Sequence, residues 1–236
     1  MSTSEATQRR PPQVIVFDVN ETLSDLSPIR ERFEDLGVPA HLVAPWFAGL
    51  LRDGFVLTIT GDNPAFAELA AASLRTTLHG LPGAGAHDMD AAVRHVLSGF
   101  MGLPLHRDVV PGVHALTDLG IRLVTLSNGS AAVAEGLLQR NGIRDSFEHV
   151  LSVEDAPAWK PDARAYQHAL DTCGVTAGDA MLVAVHPWDV HGAARAGLRT
   201  AHLDRSGAPW PQPLERPELV APSLTDLAAQ LRGPAR

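Results

Sequence analysis

The sequence predicts an α/β protein, a parallel sheet with flanking helices, interrupted once by an all-helical insert. Unbroken apolar runs of strand length recur and end in polar residues. Helical patterns separate them, and one long stretch holds helical patterns only. The first run, Val14-Ile15-Val16-Phe17, stops abruptly at Asp18, as a strand buried on both faces does. Arg122 to Leu126 follows, ending in Ser127-Asn128-Gly129, and then His149 to Ser152. Met181 to Val185 ends in His186, and Thr200 to Leu203 ends near Asp204-Arg205. Helical patterns at Val110–Leu119, Ala131–Asn141, Ala163–Cys173 and Val190–Ala196 lie between these runs. Strands alternating with helices of this length read as parallel strands joined by right-handed crossovers.

The stretch from Leu26 to Asp108 breaks the alternation. Its amphipathic patterns cover Ile29–Leu36, His41–Phe55, Asn63–Leu78 and Asp88–Gly99. Pro64 and Asp88 stand where first-turn and capping residues belong. Gly80 to His87, with its Leu81-Pro82-Gly83 turn, reads as a loop inside the insert. The expected division is a core over 13–25 and 109–236 and a helical domain over 26–108. The proline-rich tail from Gly207 to Pro222 reads as a surface wrap before a last helix, Leu224–Leu231.

Composition narrows the function classes. A chain of 236 residues, 45% hydrophobic and 19% charged, can bury a sizeable core. With a net charge of −8 and no basic stretch, nucleic acid is not an expected partner. The one cysteine, Cys173, rules out an intrachain disulfide and a cysteine metal cluster, which fits a reducing cytoplasm. Met1 to Pro12 is polar with no apolar signal core after it, so secretion is not expected. The apolar runs are strand-sized, too short to span a bilayer.

Ligands of open parallel sheets bind outside the carboxyl ends of the strands. The polar residues expected there are Asp18, Asn20 and Thr22, then Ser127 and Asn128, then Lys160, then His186 and Asp189. Singly, each has an ordinary structural explanation: a turn, a helix cap, a solvated lysine, a loop-bracing histidine. Their succession along one edge of one sheet argues for a site.

Four segments carry a resemblance. Phe17-Asp18-Val19-Asn20-Glu21-Thr22-Leu23, Thr125-Leu126-Ser127-Asn128-Gly129, Lys160-Pro161 with Tyr166, and Val183 to Ala193 with Trp188-Asp189 resemble the ordered motifs of the haloacid dehalogenase superfamily. The resemblance implies a Rossmann-like core, with the helical insert as a cap domain closing over the site. Most members are Mg²⁺-dependent phosphatases, with a second aspartate two residues after the nucleophile and an acid at the position of Ala184. This chain has Asn20 and Ala184, so no metal and no other cofactor are expected. Ser127-Asn128-Gly129, Glu154-Asp155, Lys160, Tyr166 and Trp188-Asp189 instead resemble the 2-haloacid dehalogenases.

That likeness implies roles. The Asp18 carboxylate displaces halide from a short 2-haloacid, and water then opens the aspartyl ester to a 2-hydroxy acid. Lys160 keeps Asp18 ionised, Asp189 orients Lys160 and positions or activates water, and Thr22 steadies the nucleophile. Ser127 holds the substrate carboxylate, Asn128 stands near the halide, and Tyr166 braces the Ser127–Lys160 region. The chain departs from the pattern at Asn20, where tyrosine is frequent, at Ala184 and His186, and in the insert. There Phe47, after Trp46, takes the place of a halide-binding arginine, and Arg52 is too far round the helix to replace it. Asn20, Asn128 and His186 remain as halide donors, with His186 otherwise a loop brace. A phosphatase and a catalytically silent relative are the alternatives, and a cytoplasmic homodimer is the base-rate expectation.

Overall fold

The computed structural model describes residues 10–81 and 88–233. The Pro82-Gly83 turn, the loop to His87 and the first nine residues lie outside them. The strands are β1 (Val14–Phe17), β2 (Arg122–Ser127), β3 (His149–Ser152), β4 (Ala180–Ala184), β5 (Arg199–Leu203) and β6 (Leu219–Ala221). They form one parallel sheet in the order β3-β2-β1-β4-β5-β6. Phe17 is in register with Thr125 on one side and Val183 on the other, so β1 lies at the centre. The chain builds outward from β1 in one direction, then returns to β4 and builds in the other. The crevice beyond β1 and β4 is therefore the switch point where such sheets bind ligands.

Alternation along β1 sends Val14 and Val16 to one face and Ile15 and Phe17 to the other. The first face packs on α7 (Ala163–Cys173) and α8 (Pro187–Arg195), in a cluster continuous with the insert. The second packs on α5 (Val109–Thr117) and α9 (Leu224–Arg232). α6 (Ala131–Arg140) begins two residues after Gly129, with Ser130 accepting from the Ala132 amide as its cap. Each large apolar side chain buried in these layers contributes about 1.5–3 kcal/mol.

The insert holds α1 (Ser27–Asp35), α2 (Val43–Thr60), α3 (Phe66–Leu78) and α4 (Met89–Ser98), with no strand among its described residues. Asp88 caps α4 through the Asp90 amide, as its place in the sequence predicts. Pro64 instead precedes the α3 cap, so α3 starts at Phe66 rather than Asn63. α2 runs past Phe55 to Thr60, where Gly61 adopts φ 95° and ends it.

Two expectations need correction. The Gly207–Pro222 tail contains β6, which has only three residues and so no readable period. And Ala40–Thr60 is a helical stretch of 21 residues, long and apolar enough by length and composition to cross a bilayer. Arg52 and Asp53 break it in the sequence, which is why no long apolar run shows. In the fold Val43, Trp46, Phe47, Leu50 and Leu51 are buried in the core cluster.

Candidate active site

Asp18 emerges from β1 with its amide on the Val183 carbonyl at 3.1 Å, which ties this position to β4. Its side chain is buried and fully engaged. Thr22 donates to Oδ2 at 2.6 Å and Lys160 Nζ donates to Oδ1 at 3.0 Å. Lys160 Nζ also donates to Asp189 Oδ2 at 2.6 Å, and the Tyr166 hydroxyl donates to Asp189 Oδ1 at 2.6 Å. Burial alone would push the Asp18 carboxyl up; Lys160, His186 and the Thr22 hydroxyl outweigh it and hold it below the usual range. Burial would likewise disfavour the Lys160 charge, but the two carboxylates hold its pKa above normal. Asp189 is raised, chiefly by burial and with Asp18 adding to it, against the pull of Lys160. Burial, with Asp189 beside it, raises the Tyr166 hydroxyl well above 10.0, so it is a donor.

Local structure explains the convergence. Asp162 caps α7, whose buried face includes Ala165, Tyr166, Ala169 and Leu170, so Tyr166 faces inward with its hydroxyl on Asp189. α8 begins at Pro187 and carries Asp189 in its first turn. A Cβ on Gly192 would stand 2.5 Å from Pro161 and 2.7 Å from the Tyr166 oxygen; the missing side chain lets α8 close onto the Lys160 loop. Asn128 clamps that loop from the other side, donating to the Lys160 carbonyl at 3.1 Å and accepting from its amide at 3.0 Å.

The sequence-derived residues therefore divide. Asp18, Thr22, Lys160, Asp189 and Tyr166 form one interlocked set, but Tyr166 braces Asp189 rather than the Ser127–Lys160 region. Asn128 bonds the Lys160 backbone with both ends of its amide. Ser127 accepts from the Gly129 amide at 2.9 Å. With Asn20 and Gly129 it lines a cavity of about 150 Å³ that Phe66 and Phe100 from the insert also line. Phe47 lines a second cavity of about 580 Å³, with Glu21, His106, His186 and Trp188. Trp46 lines neither. It packs among Phe33, Phe47 and Phe100, and its buried indole N–H has no partner among the described residues. Arg52 pairs with Asp53 on the outer face of α2, its side chain 73% exposed. No cluster of three or more His, Cys, Asp or Glu among the described residues is arranged to hold a metal.

His186 Nε2 lies 3.8 Å from Asp18 Oδ2, 3.5 Å from Glu21 Oε2 and 3.3 Å from the Asn20 carbonyl. Its ring stacks on Trp188 with centroids 5.2 Å apart.

Three residues here escape sequence reasoning. Glu21 has φ 63°, a left-handed conformation costing a non-glycine residue about 1–3 kcal/mol. His106 holds it there, Nε2 donating to the Glu21 carbonyl at 3.0 Å. Burial raises the Glu21 carboxyl, with Asp18 adding to the shift and His186 and His106 opposing it. Arg205 donates to the Thr22 carbonyl at 2.9 Å and so braces the turn that carries Thr22. Position within the first motif was the sole signal for Glu21; His106 and Arg205 carried none.

An open parallel sheet with a buried carboxylate–lysine–carboxylate set at its switch point defines the class as an α/β protein with a reactive carboxylate at the end of β1. The family model for haloacid dehalogenase-like hydrolases matches residues 12–197, and the chain belongs to that family. Among its relatives is the (S)-2-haloacid dehalogenase of Pseudomonas sp. (strain YL), 27% identical over 89% of this chain and 90% of that protein. The haloacetate dehalogenase H-2 of Moraxella sp. (strain B) is 26% identical over 90% of this chain and 94% of its own. The L-2-haloacid dehalogenase structure from Xanthobacter autotrophicus superposes with a TM-score of 0.84 at 23% identity, covering 95% of this chain and all of that one, and shares the fold.

Proposed function

We propose that this enzyme hydrolyses the carbon–halogen bond of short 2-haloacids, giving 2-hydroxy acids through an ester on Asp18. The observation that carries this reading is the Asp18–Lys160–Asp189 set, with an amide at position 20 and alanine at 184 where a metal-dependent phosphatase needs acids. A carboxylate held ionised by a buried ammonium is a nucleophile at neutral pH. A halide, unlike an alkoxide, leaves without a proton, so the acid missing at position 20 is not required. The relatives whose names specify haloacids and haloacetate support the same chemistry.

The 150 Å³ cavity suits a short acid, being well below the size of drug-sized pockets. In this reading Ser127 and the backbone amides beside it receive the substrate carboxylate, and Phe66 and Phe100 exclude water. Attack by Asp18 inverts the substrate carbon, and hydrolysis at the aspartyl carbonyl leaves that inversion in place. The helices 26–108 act as the cap, the enzyme works without metal, and it resides in the cytoplasm, working alone or as a homodimer. The deciding experiment measures halide release from chloroacetate, fluoroacetate and 2-chloropropionate with and without EDTA. Release that ignores chelator supports the reading. Activity that collapses with EDTA and returns with Mg²⁺ favours a phosphatase-like enzyme instead.

A further inference from the structure

The cavity of about 150 Å³ has one polar end and otherwise apolar walls. We propose that the Asn20 side-chain amide, with the Ser127 hydroxyl, binds the substrate carboxylate at that end and so selects acids. This rests on the dehalogenase reading above and names the residue that sets its substrate class.

Asn20 and Ser127 stand at adjacent strand ends, since Phe17 of β1 is in register with Thr125 of β2. Asn20 is 8% exposed and Ser127 2%. The Asn20 carbonyl accepts from His186 Nε2 at 3.3 Å, but no described residue bonds its side-chain amide. Ser127 Oγ accepts from the Gly129 amide at 2.9 Å, which leaves its own O–H able to donate. A buried amide and a buried hydroxyl without protein acceptors call for an acceptor on a ligand.

The two donors converge. A Cβ on Gly129 would stand 3.1 Å from Asn20 Nδ2 and 3.2 Å from Ser127 Oγ, so glycine leaves bare the face that both flank. Ser130, the cap of α6, lines the same cavity. α6 has no acid in its first turn, so its amide end adds positive potential there. Among the described residues no charged side chain lines this cavity. An anion at its polar end therefore meets donors and no competing carboxylate.

Placement decides which anion. On sequence grounds Asn20, Asn128 and His186 were candidate halide donors. Asn128 is bonded to the Lys160 backbone, and His186 lines the other cavity with Glu21. Asn20 shares its cavity with Ser127, not with His186. A carboxylate offers one oxygen to each donor: Asn20 Nδ2 donates to the first and Ser127 Oγ to the second. The short carbon chain then lies against Phe66 and Phe100. A 2-haloamide would set an NH₂ against one of these donors in place of an oxygen. Donor would face donor, and the neutral analogue is rejected.

The carboxylate persists in the product and the halide does not, so glycolate separates the two roles. Calorimetric titration with glycolate and glycolamide, beside steady-state halide release, tests the proposal. The wild type should bind glycolate about 10-fold or more tighter than glycolamide. Asn20→Leu should weaken glycolate about 10-fold, the effect of losing a hydrogen bond to a charged group, and glycolamide far less. KM for chloroacetate and fluoroacetate should rise by about the same 10-fold, with kcat changed less than about 3-fold. Asn20→Ala should behave alike, and an unchanged unfolding midpoint marks the variant whose fold is intact. Glycolate binding that a folded variant retains, or that the wild type lacks, overturns the proposal. So does a kcat loss that deepens from chloride to fluoride with glycolate unaffected, which would assign Asn20 to the halide. A wild type that releases no halide from any of the three acids sinks the dehalogenase reading, and the glycolate titrations still decide the carboxylate site.

Discussion

The centre and the rim of the site are built differently. At the centre, Asp18, Thr22, Lys160, Asp189 and Tyr166 bond one another at 2.6–3.0 Å and are nearly or wholly buried. At the rim, Glu21 and His186 stand 3.5 Å apart and face a cavity of about 580 Å³. The centre is saturated: each carboxylate oxygen of Asp18 and Asp189 already has a donor. Such a set holds the Asp18 carboxylate ionised and fixed in place. Packing thus gives one site two kinds of solvation: a closed ionic network, and beside it groups that meet an open cavity.

Substitutions can break this contrast, beginning with the largest effect. Asp18→Asn should cut halide release about 10⁴-fold or more while the protein stays folded, since an amide is a poor nucleophile. Retained turnover in a sequence-verified variant, with deamidation excluded by mass, would remove Asp18 from the chemistry. Lys160→Met leaves two buried carboxylates uncompensated and should destabilise the fold by about 3–5 kcal/mol in urea unfolding. Because Lys160 lowers both carboxyl pKa values, part of that loss should be recovered as the pH is lowered and the stranded acids protonate. A variant with unchanged stability at neutral pH would mean that the centre is wetter than its burial indicates.

Tyr166→Phe removes one donor from Asp189 and should cost about 1–3 kcal/mol, with a smaller loss of turnover than Lys160→Met. A larger effect on turnover than on stability would bring Tyr166 into the reaction itself. Arg52→Ala should change least. Its surface pair with Asp53 is worth about 0.2–1 kcal/mol, and halide release should be unaffected. A loss of halide release in this variant would make Arg52 the missing halide cation and require α2 to turn toward the site.

Much of this architecture was legible in the chain. The runs ending at Asp18, Ser127 and His186 mark strands because burial on both faces demands continuous apolar residues and the carboxyl ends demand polar ones. The insert was legible because its apolar residues recur at helical spacing. β6 was not, being three residues long between prolines. Nor was the start of α3, where Pro64 falls just outside the helix instead of within its first turn.

At the site, residue type and order along the sheet edge sufficed to assemble Asp18, Thr22, Lys160 and Asp189 as candidates, while Tyr166 came only with the family resemblance. The partner of each was decided by packing. Asn128 clamps the Lys160 backbone, Trp46 is enclosed within the insert, and Phe47 walls a cavity with His186 and Trp188. Glu21 and His106 lie 85 residues apart and meet through a single hydrogen bond. The sequence by itself determined the period of each element and the chemistry at each strand end, because those depend on neighbours along the chain. Only the tertiary structure decided which donor meets which carboxylate, which histidine stands beside Asp18, and that a glutamate holds a left-handed turn. Those contacts join distant segments, and their energies depend on burial that no local pattern encodes.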